Sequence, residues 1–198
     1  MTLRPAVLLL SSLLGLTQCI MSGEPYYPVQ PMPAATQTGK NTAGCVVDGL
    51  PWVAHRYGHA AGSLSGQAIY ASWDNYSATR PNHLSLYFAK YIADVAQVHD
   101  ATGVKLEVPG VTRPGTFVLD GTPRPNVVSG PIGYASFTFY KPNPTQELFT
   151  GPDSPGRVVV TRFDTSAHVV SGTFEFTARQ APGGTLVRVS EGRFDCKF

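Results

Sequence analysis

Short runs in which apolar and polar residues alternate fill most of this chain, and turn residues separate them. In the run 83–91, the apolar side chains fall on one face, whereas Ser85 and Tyr87 fall on the other. A period of two is typical of half-buried β-strands. About nine short strands at this spacing predict an all-β fold, an antiparallel β-sandwich or a partly open barrel. The other runs are 68–72, 104–108, 115–120, 132–140, 157–163, 169–179, 185–190 and 193–198.

Turn residues set the connections between these strands. Asp48-Gly49 is typical of a type I′ hairpin turn, and it pairs Val46 with Pro51 and Cys45 with Trp52. Because proline has no N–H to donate, the strand that contains Pro51 is expected at a sheet edge. Turns are also predicted at 164–168, 180–184 and 191–192, a loop at 55–67, and, as an alternative to strand, one or two helical turns within 88–98.

Composition excludes several classes of protein. Charged residues make up 14% of the chain and aromatic residues 11%, which is unlike a disordered segment or a helical bundle. The formal net charge is +2, and the lysines and arginines are scattered singly. Nucleic-acid binders usually carry a basic stripe, so no nucleic-acid partner is expected. No motif for a cofactor is present, and none is predicted.

The N-terminus has the features of an export signal. Arg4 precedes an apolar run, 6–16, which is too short to span a bilayer and ends shortly before Cys19. We predict a lipoprotein signal peptide over residues 1–18 and lipidation of Cys19, which would anchor the chain in the outer membrane of the cell envelope. The alternative is an ordinary secretory signal, and the side of the membrane, periplasmic or surface, stays open.

Proline-rich sequence follows the signal. Residues 19–42 contain prolines 25, 28, 31 and 33, which favour an extended tether. We therefore predict three parts: a signal peptide over 1–18, a tether over 19–42 and a single β-domain over 43–198.

Two cysteines lie within the predicted domain. An exported protein meets an oxidising compartment, so we expect a disulfide between Cys45 and Cys196 that would join the start of the domain to its end. Two buried free thiols are the alternative.

Candidate catalytic and metal-ligating residues do not form a recognised motif. His55 and His59 have a zinc-like spacing but lie in a glycine-rich stretch without the helical motif. Asp164 and His168 fall in a predicted turn, and no Gly-x-Ser-x-Gly sequence supplies a nucleophile. We therefore predict no catalytic, metal or cofactor residue.

Several aromatic residues suit a binding surface. Six of them, with Asp74 and Asn75 nearby, combine rings and polar groups as sugar-stacking and protein-binding faces do: Trp52, Trp73 and Tyr76, which we favour, and Tyr57, Tyr70 and Tyr87. The alternative is that these rings fill the core and the turns.

Sequence at the two ends of the predicted domain resembles a known family. The segments 36–42, 44–52, 160–164, 170–178 and 191–195 are similar to those of uncharacterised envelope lipoproteins of the Bacteroidota. The resemblance implies an all-β domain of unknown function at the cell envelope, and it assigns no catalytic residue.

Three functions remain open at this point. The first, which we favour, is a non-catalytic, lipid-anchored module that binds an envelope protein or glycan. The second is a hydrolase of envelope glycans, which needs two carboxylates at a cleft; the candidates, which form no pattern, are Asp74, Asp94, Asp100, Glu107 and Asp120. The third is a lipocalin-like carrier, which needs an apolar cavity.

Overall fold

The computed structural model describes residues 30–57, 67–75, 79–93, 98–123, 132–141, 144–180 and 183–198. These residues form twelve strands and no helix, which confirms the predicted all-β fold. The strands are β1 (Thr42–Val47), β2 (Leu50–Val53), β3 (His55–Tyr57), β4 (Ile69–Asp74), β5 (His83–Ala93), β6 (Val98–Val108), β7 (Gly115–Leu119), β8 (Tyr134–Phe139), β9 (Gln146–Phe149), β10 (Gly156–Asp164), β11 (Val169–Arg179) and β12 (Leu186–Lys197).

Nine of the strands follow one another in a continuous hydrogen-bonded path that curls into a nearly closed barrel. The order is β2-β1-β12-β11-β9-β8-β6-β5-β3; β4 pairs with β5, and β10 pairs with β11 and β7. Every pair is antiparallel except β3 with β5. The predicted β1–β2 hairpin is confirmed with its register, since Asp48 and Gly49 have positive φ, and β2 lies at an end of the path.

Aromatic and aliphatic side chains fill the interior between opposite walls of the barrel. The ring of Phe88 on β5 lies 5.9 Å from that of Phe174 on β11 and 6.2 Å from that of Phe194 on β12. Leu84, Leu86 and Phe88 of β5 are fully buried, in agreement with the period of two. The core described here therefore consists of packed side chains, as expected for a small barrel.

The predicted turn at 191–192 is wrong, because β12 continues through it with a β-bulge. Phe174 lies opposite Gly192 and Phe176 opposite Val189, so β12 contains one extra residue. Glu191 has a φ of 53°, as the first residue of such a bulge can. The extra residue changes which positions face the core: Val187 and Val189 before it, and Phe194 and Cys196 after it. In the sequence this change of phase resembles a break between two strands, which is why a turn was predicted there.

Three further differences concern β3, β5 and β9. Residues 55–57, which were expected in a loop, form β3 beside β5. Strand β5 extends to Ala93, so the described part of 88–98 is strand and not helix. Strand β9 was not predicted, because its four residues alternate too briefly to be distinguished from a turn.

The end of the predicted tether lies on the domain and is held by Asp195. One carboxylate oxygen of Asp195 accepts hydrogen bonds from the Thr36 hydroxyl (2.6 Å) and the Thr38 amide (3.0 Å). The other accepts from the Gly39 amide (2.7 Å) and the Ser171 hydroxyl (2.7 Å). Burial alone would raise the pKa of Asp195, but these hydrogen bonds hold it well below its usual range. The segment 36–40 is therefore bound to the outer face of β11 and β12.

The two Arg-Phe-Asp sequences support the same segment. As predicted, each places its ring and its charges on opposite faces, with Phe194 in the core. Arg193 donates to the Pro33 carbonyl, and Arg162 donates to the Gln37 carbonyl and pairs with Asp164. Their arginines thus add contacts to the chain that precedes β1.

The predicted disulfide between Cys45 and Cys196 is wrong, because both residues are free thiols. Thr42 pairs with Asp195, so Cys196 lies level with Asn41, four residues along β1 from Cys45. Four residues of strand correspond to roughly 13 Å, whereas a disulfide needs Cα atoms within about 7 Å. Burial raises the pKa of both thiols to about 12, so neither is a reactive thiolate at neutral pH.

We predict that Asp195→Asn loosens the N-terminal segment and destabilises the domain. An amide has only one acceptor oxygen, and its NH₂ would face donors, so the loss should be about 2 to 4 kcal/mol in chemical denaturation. Trypsin should also cleave after Lys40 faster than in the original protein. Asp153→Asn, which changes an exposed turn carboxylate away from the N-terminal segment, is the matched control and should cause a much smaller loss. Equal stability of the two variants would contradict the role of Asp195.

We also predict that Cys45 and Cys196 stay reduced in protein exported under oxidising conditions. In a Cys19→Ala chain, a thiol reagent should modify no cysteine in the folded protein and two after unfolding, because both side chains are fully buried. A chain that migrates faster without reductant than with it would contradict this result.

Candidate functional site

The two tryptophans that the sequence suggested for binding do not lie on an exposed face. Trp52 is 4% exposed, its Nε1 donates to the Thr102 hydroxyl, and its ring packs edge-on against Phe137. The Nε1 of Trp73 donates to the Val111 carbonyl, and its ring lies 5.3 Å from that of Phe163. Tyr76 lies outside the described residues. The alternative, that the two tryptophans belong to the core, is the one that the structure supports.

Tyr70 and Tyr87, which the sequence also suggested, lie with Tyr140 on the outer face of β4, β5 and the end of β8. Tyr70 is 56% exposed and lies directly opposite Tyr87 across the β4–β5 pair. The hydroxyl of Tyr87 is 2.8 Å from that of Tyr140, which is 39% exposed. We call Tyr70, Tyr87 and Tyr140 the tyrosine strip; it crosses three inter-strand spacings, roughly 14 Å.

The sequence produces this strip through strand phase and one glycine. Tyr87 alternates with the buried Leu86 and Phe88, so it must face outward. A Cβ on Gly103 would lie 3.2 Å from the Tyr140 hydroxyl and 3.3 Å from the Tyr87 ring. Because glycine leaves this space open on β6, the two rings can approach each other across the strand.

The buried carboxylate of Glu107 lies beside the strip, and four donor side chains contact it. One oxygen of Glu107 on β6 accepts hydrogen bonds from Arg80 (2.8 Å), His83 (2.5 Å) and Ser85 (2.7 Å). Lys105 contacts the other oxygen at 2.9 Å and also donates to the Tyr134 hydroxyl. We call these groups the Glu107 network.

The electrostatics of the Glu107 network keep its carboxylate charged at neutral pH. Burial alone would raise the pKa of Glu107, but hydrogen bonds from His83, Ser85 and Lys105 outweigh it and lower the pKa to about 2. Burial would likewise lower the pKa of Lys105, and its bonds to Tyr134 and Glu107 raise it instead. Both groups are therefore ionised at neutral pH, and the pair is held in place.

The network does not have the geometry of a hydrolytic relay. Ser85 donates to Glu107, so the hydroxyl is not directed at an imidazole that could accept its proton. His83 is buried, its Nε2 contacts the same carboxylate, and its Nδ1 has no hydrogen-bonding partner among the described residues. A general acid for glycan hydrolysis needs a raised pKa, whereas the pKa values of Glu107, Asp164 and Asp195 are all lowered.

Two adjoining clefts lie on the opposite wall of the barrel. Their volumes are about 300 and 450 Å³, and Arg157 and Glu175 line both. These two side chains form an exposed ion pair of 2.7 Å between β10 and β11. Ala35 of the N-terminal segment borders the smaller cleft, so this wall is partly covered by the chain itself.

The other candidate residues are separate from the strip. His55 lies on β3 with its Nδ1 on the Val53 carbonyl, and His59 lies outside the described residues. Asp164 accepts the amides of Ser166 and Ala167, as predicted for a turn. Within the described ranges, no three His, Cys, Asp or Glu side chains could hold a metal ion together. None of the described residues forms a helix that is long and apolar enough to cross a membrane.

Comparison with known proteins gives a family without an assigned activity. Residues 95–195, about half of the chain, match the family model described as a domain of unknown function, DUF6252. The chain belongs to this family. The matched part of the DUF6252 domain extends from the start of β6 to Asp195, so it includes Lys105 and Glu107 but not Tyr70, Tyr87 or the segment 36–40. No curated protein and no solved structure matches the chain.

Sequence reasoning named Glu107 only as one of several carboxylates without a pattern, and it missed the pairing with Lys105, although it placed both residues in a strand. Their positions at i and i+2 put them on one face, and the phase of β5 puts Ser85 and Tyr87 on the same face. The missing information was which residues of β5 and β6 lie opposite each other. A period of two gives the face of each residue but not the pairing of the strands.

We predict that Glu107→Gln removes an acid-dependent part of the stability. The carboxyl has an ordinary pKa of 4.5 and a folded pKa of about 2. Its contribution is therefore complete above pH 4.5 and is lost as the pH falls towards 2. Denaturation at several pH values should show a lower stability of the variant at pH 7 and a smaller difference from the original protein near pH 2. Glu175→Gln, at an exposed ion pair, should leave this pH dependence unchanged.

Proposed function

We propose that this protein is a lipid-anchored binding module of the cell envelope, attached to the outer membrane through Cys19. The observation that carries the binding function is the tyrosine strip, where three aromatic residues lie in a row on the outer wall of a barrel with a filled interior. Rings that stay on the surface beside an ordered polar network are typical of recognition surfaces.

The sequence supports the anchoring part of the proposal. A short apolar run follows Arg4 and leads to Cys19, and a proline-rich stretch follows. Because the segment 36–40 is bound by Asp195, the free length of the tether is shorter than its sequence implies. Residues 20–31 would span at most about 40 Å as polyproline II, so the domain would stay close to the membrane.

The two alternative functions receive less support. A lipocalin-like carrier needs an apolar cavity, whereas rings of Phe88, Phe174 and Phe194 occupy the middle of this barrel. A glycan hydrolase needs a carboxyl group with a raised pKa in a cleft, and Glu107 has the opposite shift. The chemistry of the described residues favours recognition without turnover.

We predict that Cys19→Ala releases the protein from membranes. Lipid chains on Cys19 supply the anchor, so the variant should move from the membrane fraction to the soluble fraction and should lose labelling by a radioactive fatty acid. Ser22→Ala changes a neighbouring residue that carries no lipid in this proposal, and it should stay with the membrane. If the Cys19→Ala protein still sediments with membranes, the proposed anchor is wrong.

A further inference from the structure

We propose that the tyrosine strip binds a neutral, extended oligosaccharide. This inference rests on the proposed binding function and names the class of ligand. Sugar rings present C–H faces that stack on aromatic rings and hydroxyl groups that need donors and acceptors nearby. The strip and its surroundings offer both.

The stacking surface comes from the three rings. Tyr70 and Tyr140 are the most exposed of them, at 56% and 39%, and Tyr87 lies between them. A strip of roughly 14 Å across the strands is longer than a single sugar ring and suits a chain of several. We therefore expect the oligosaccharide to lie across β4, β5 and β6 towards β8.

The hydrogen-bonding capacity beside the rings is only partly used. Lys105 has three N–H groups, of which the Tyr134 hydroxyl and Glu107 take two. The hydroxyls of Tyr87 and Tyr140 share one hydrogen bond, so one of their two O–H groups stays available. Glu147 on β9 is exposed and accepts from Ser136, and its other oxygen is an available acceptor. These groups suit the hydroxyls of a sugar.

The charges on this wall favour a neutral ligand over an anionic one. Lys105 and Arg80, the cations beside the strip, are both paired with Glu107. An acidic glycan would have to compete with the carboxylate that these cations already contact. A neutral oligosaccharide needs no excess of positive charge.

The test uses two neutral tetramers as probes, β-1,4-linked N-acetylglucosamine and β-1,4-linked glucose. Binding to the Cys19→Ala chain, which needs no membrane, is measured by isothermal titration calorimetry, and folding of each variant is checked by circular dichroism. We expect at least one tetramer to bind, and Tyr70→Ala and Tyr140→Ala each to weaken its binding about tenfold.

Tyr57→Ala is the matched control. Tyr57 is 52% exposed but alternates with Arg56, whose guanidinium lies over the Tyr91 ring on the outer face, so Tyr57 does not share that face. Its substitution should leave the affinity unchanged. Tyr140→Phe keeps the ring and removes a hydroxyl, and it should lose less affinity than Tyr140→Ala, which separates stacking from hydrogen bonding.

Two results would overturn the proposal. One is the failure of both tetramers to bind at millimolar concentration, which would leave the strip as a protein-contact surface. The other is binding that Tyr70→Ala and Tyr140→Ala do not change. Either result is independent of the fractionation of Cys19→Ala, so failure of the oligosaccharide site can be distinguished from failure of the membrane anchor.

Discussion

The carboxylate of Asp195 holds the segment 36–40 to the last strand of the domain. It accepts hydrogen bonds from Thr36, Thr38, Gly39 and Ser171, and it is 1% exposed. Gly39 has a φ of 71°, which lets the chain turn so that consecutive amides point at one carboxylate. From the sequence we expected a disulfide to join the two ends of the domain. The structure achieves the same connection with a charged hydrogen-bonding centre one residue before Cys196.

The bulge in β12 makes this arrangement possible. Val187 and Val189 face the core before it, and Phe194 and Cys196 face the core after it. Without the extra residue at Glu191, Asp195 would fall on the inner face, where an isolated carboxylate is very costly. The bulge at Glu191 therefore places the Phe194 ring inside the barrel and the Asp195 carboxylate outside it.

Strand phase could be predicted from the sequence, and strand pairing could not. The period of two identified most strands and put Tyr87 and Tyr140 outside, and Asp48-Gly49 gave the register of β1 and β2. It failed where a single residue changed the phase at Glu191, and where β3 and β9 were too short to show a period. The Glu107 network depends on residues from different strands that meet only through register, which one sequence does not reveal.

The two outer walls of the described barrel differ in what lies on them. The wall formed by β11 and β12 binds the segment 36–40, and Gly44 on β1 lies close to Pro33, so the N-terminal chain leaves the domain on that side. The strip lies on β4, β5 and β8, and β5 packs across the core from β11 and β12 through Phe88. The contacts of the N-terminal segment and the exposed tyrosines therefore lie on opposite walls of the described part of the barrel.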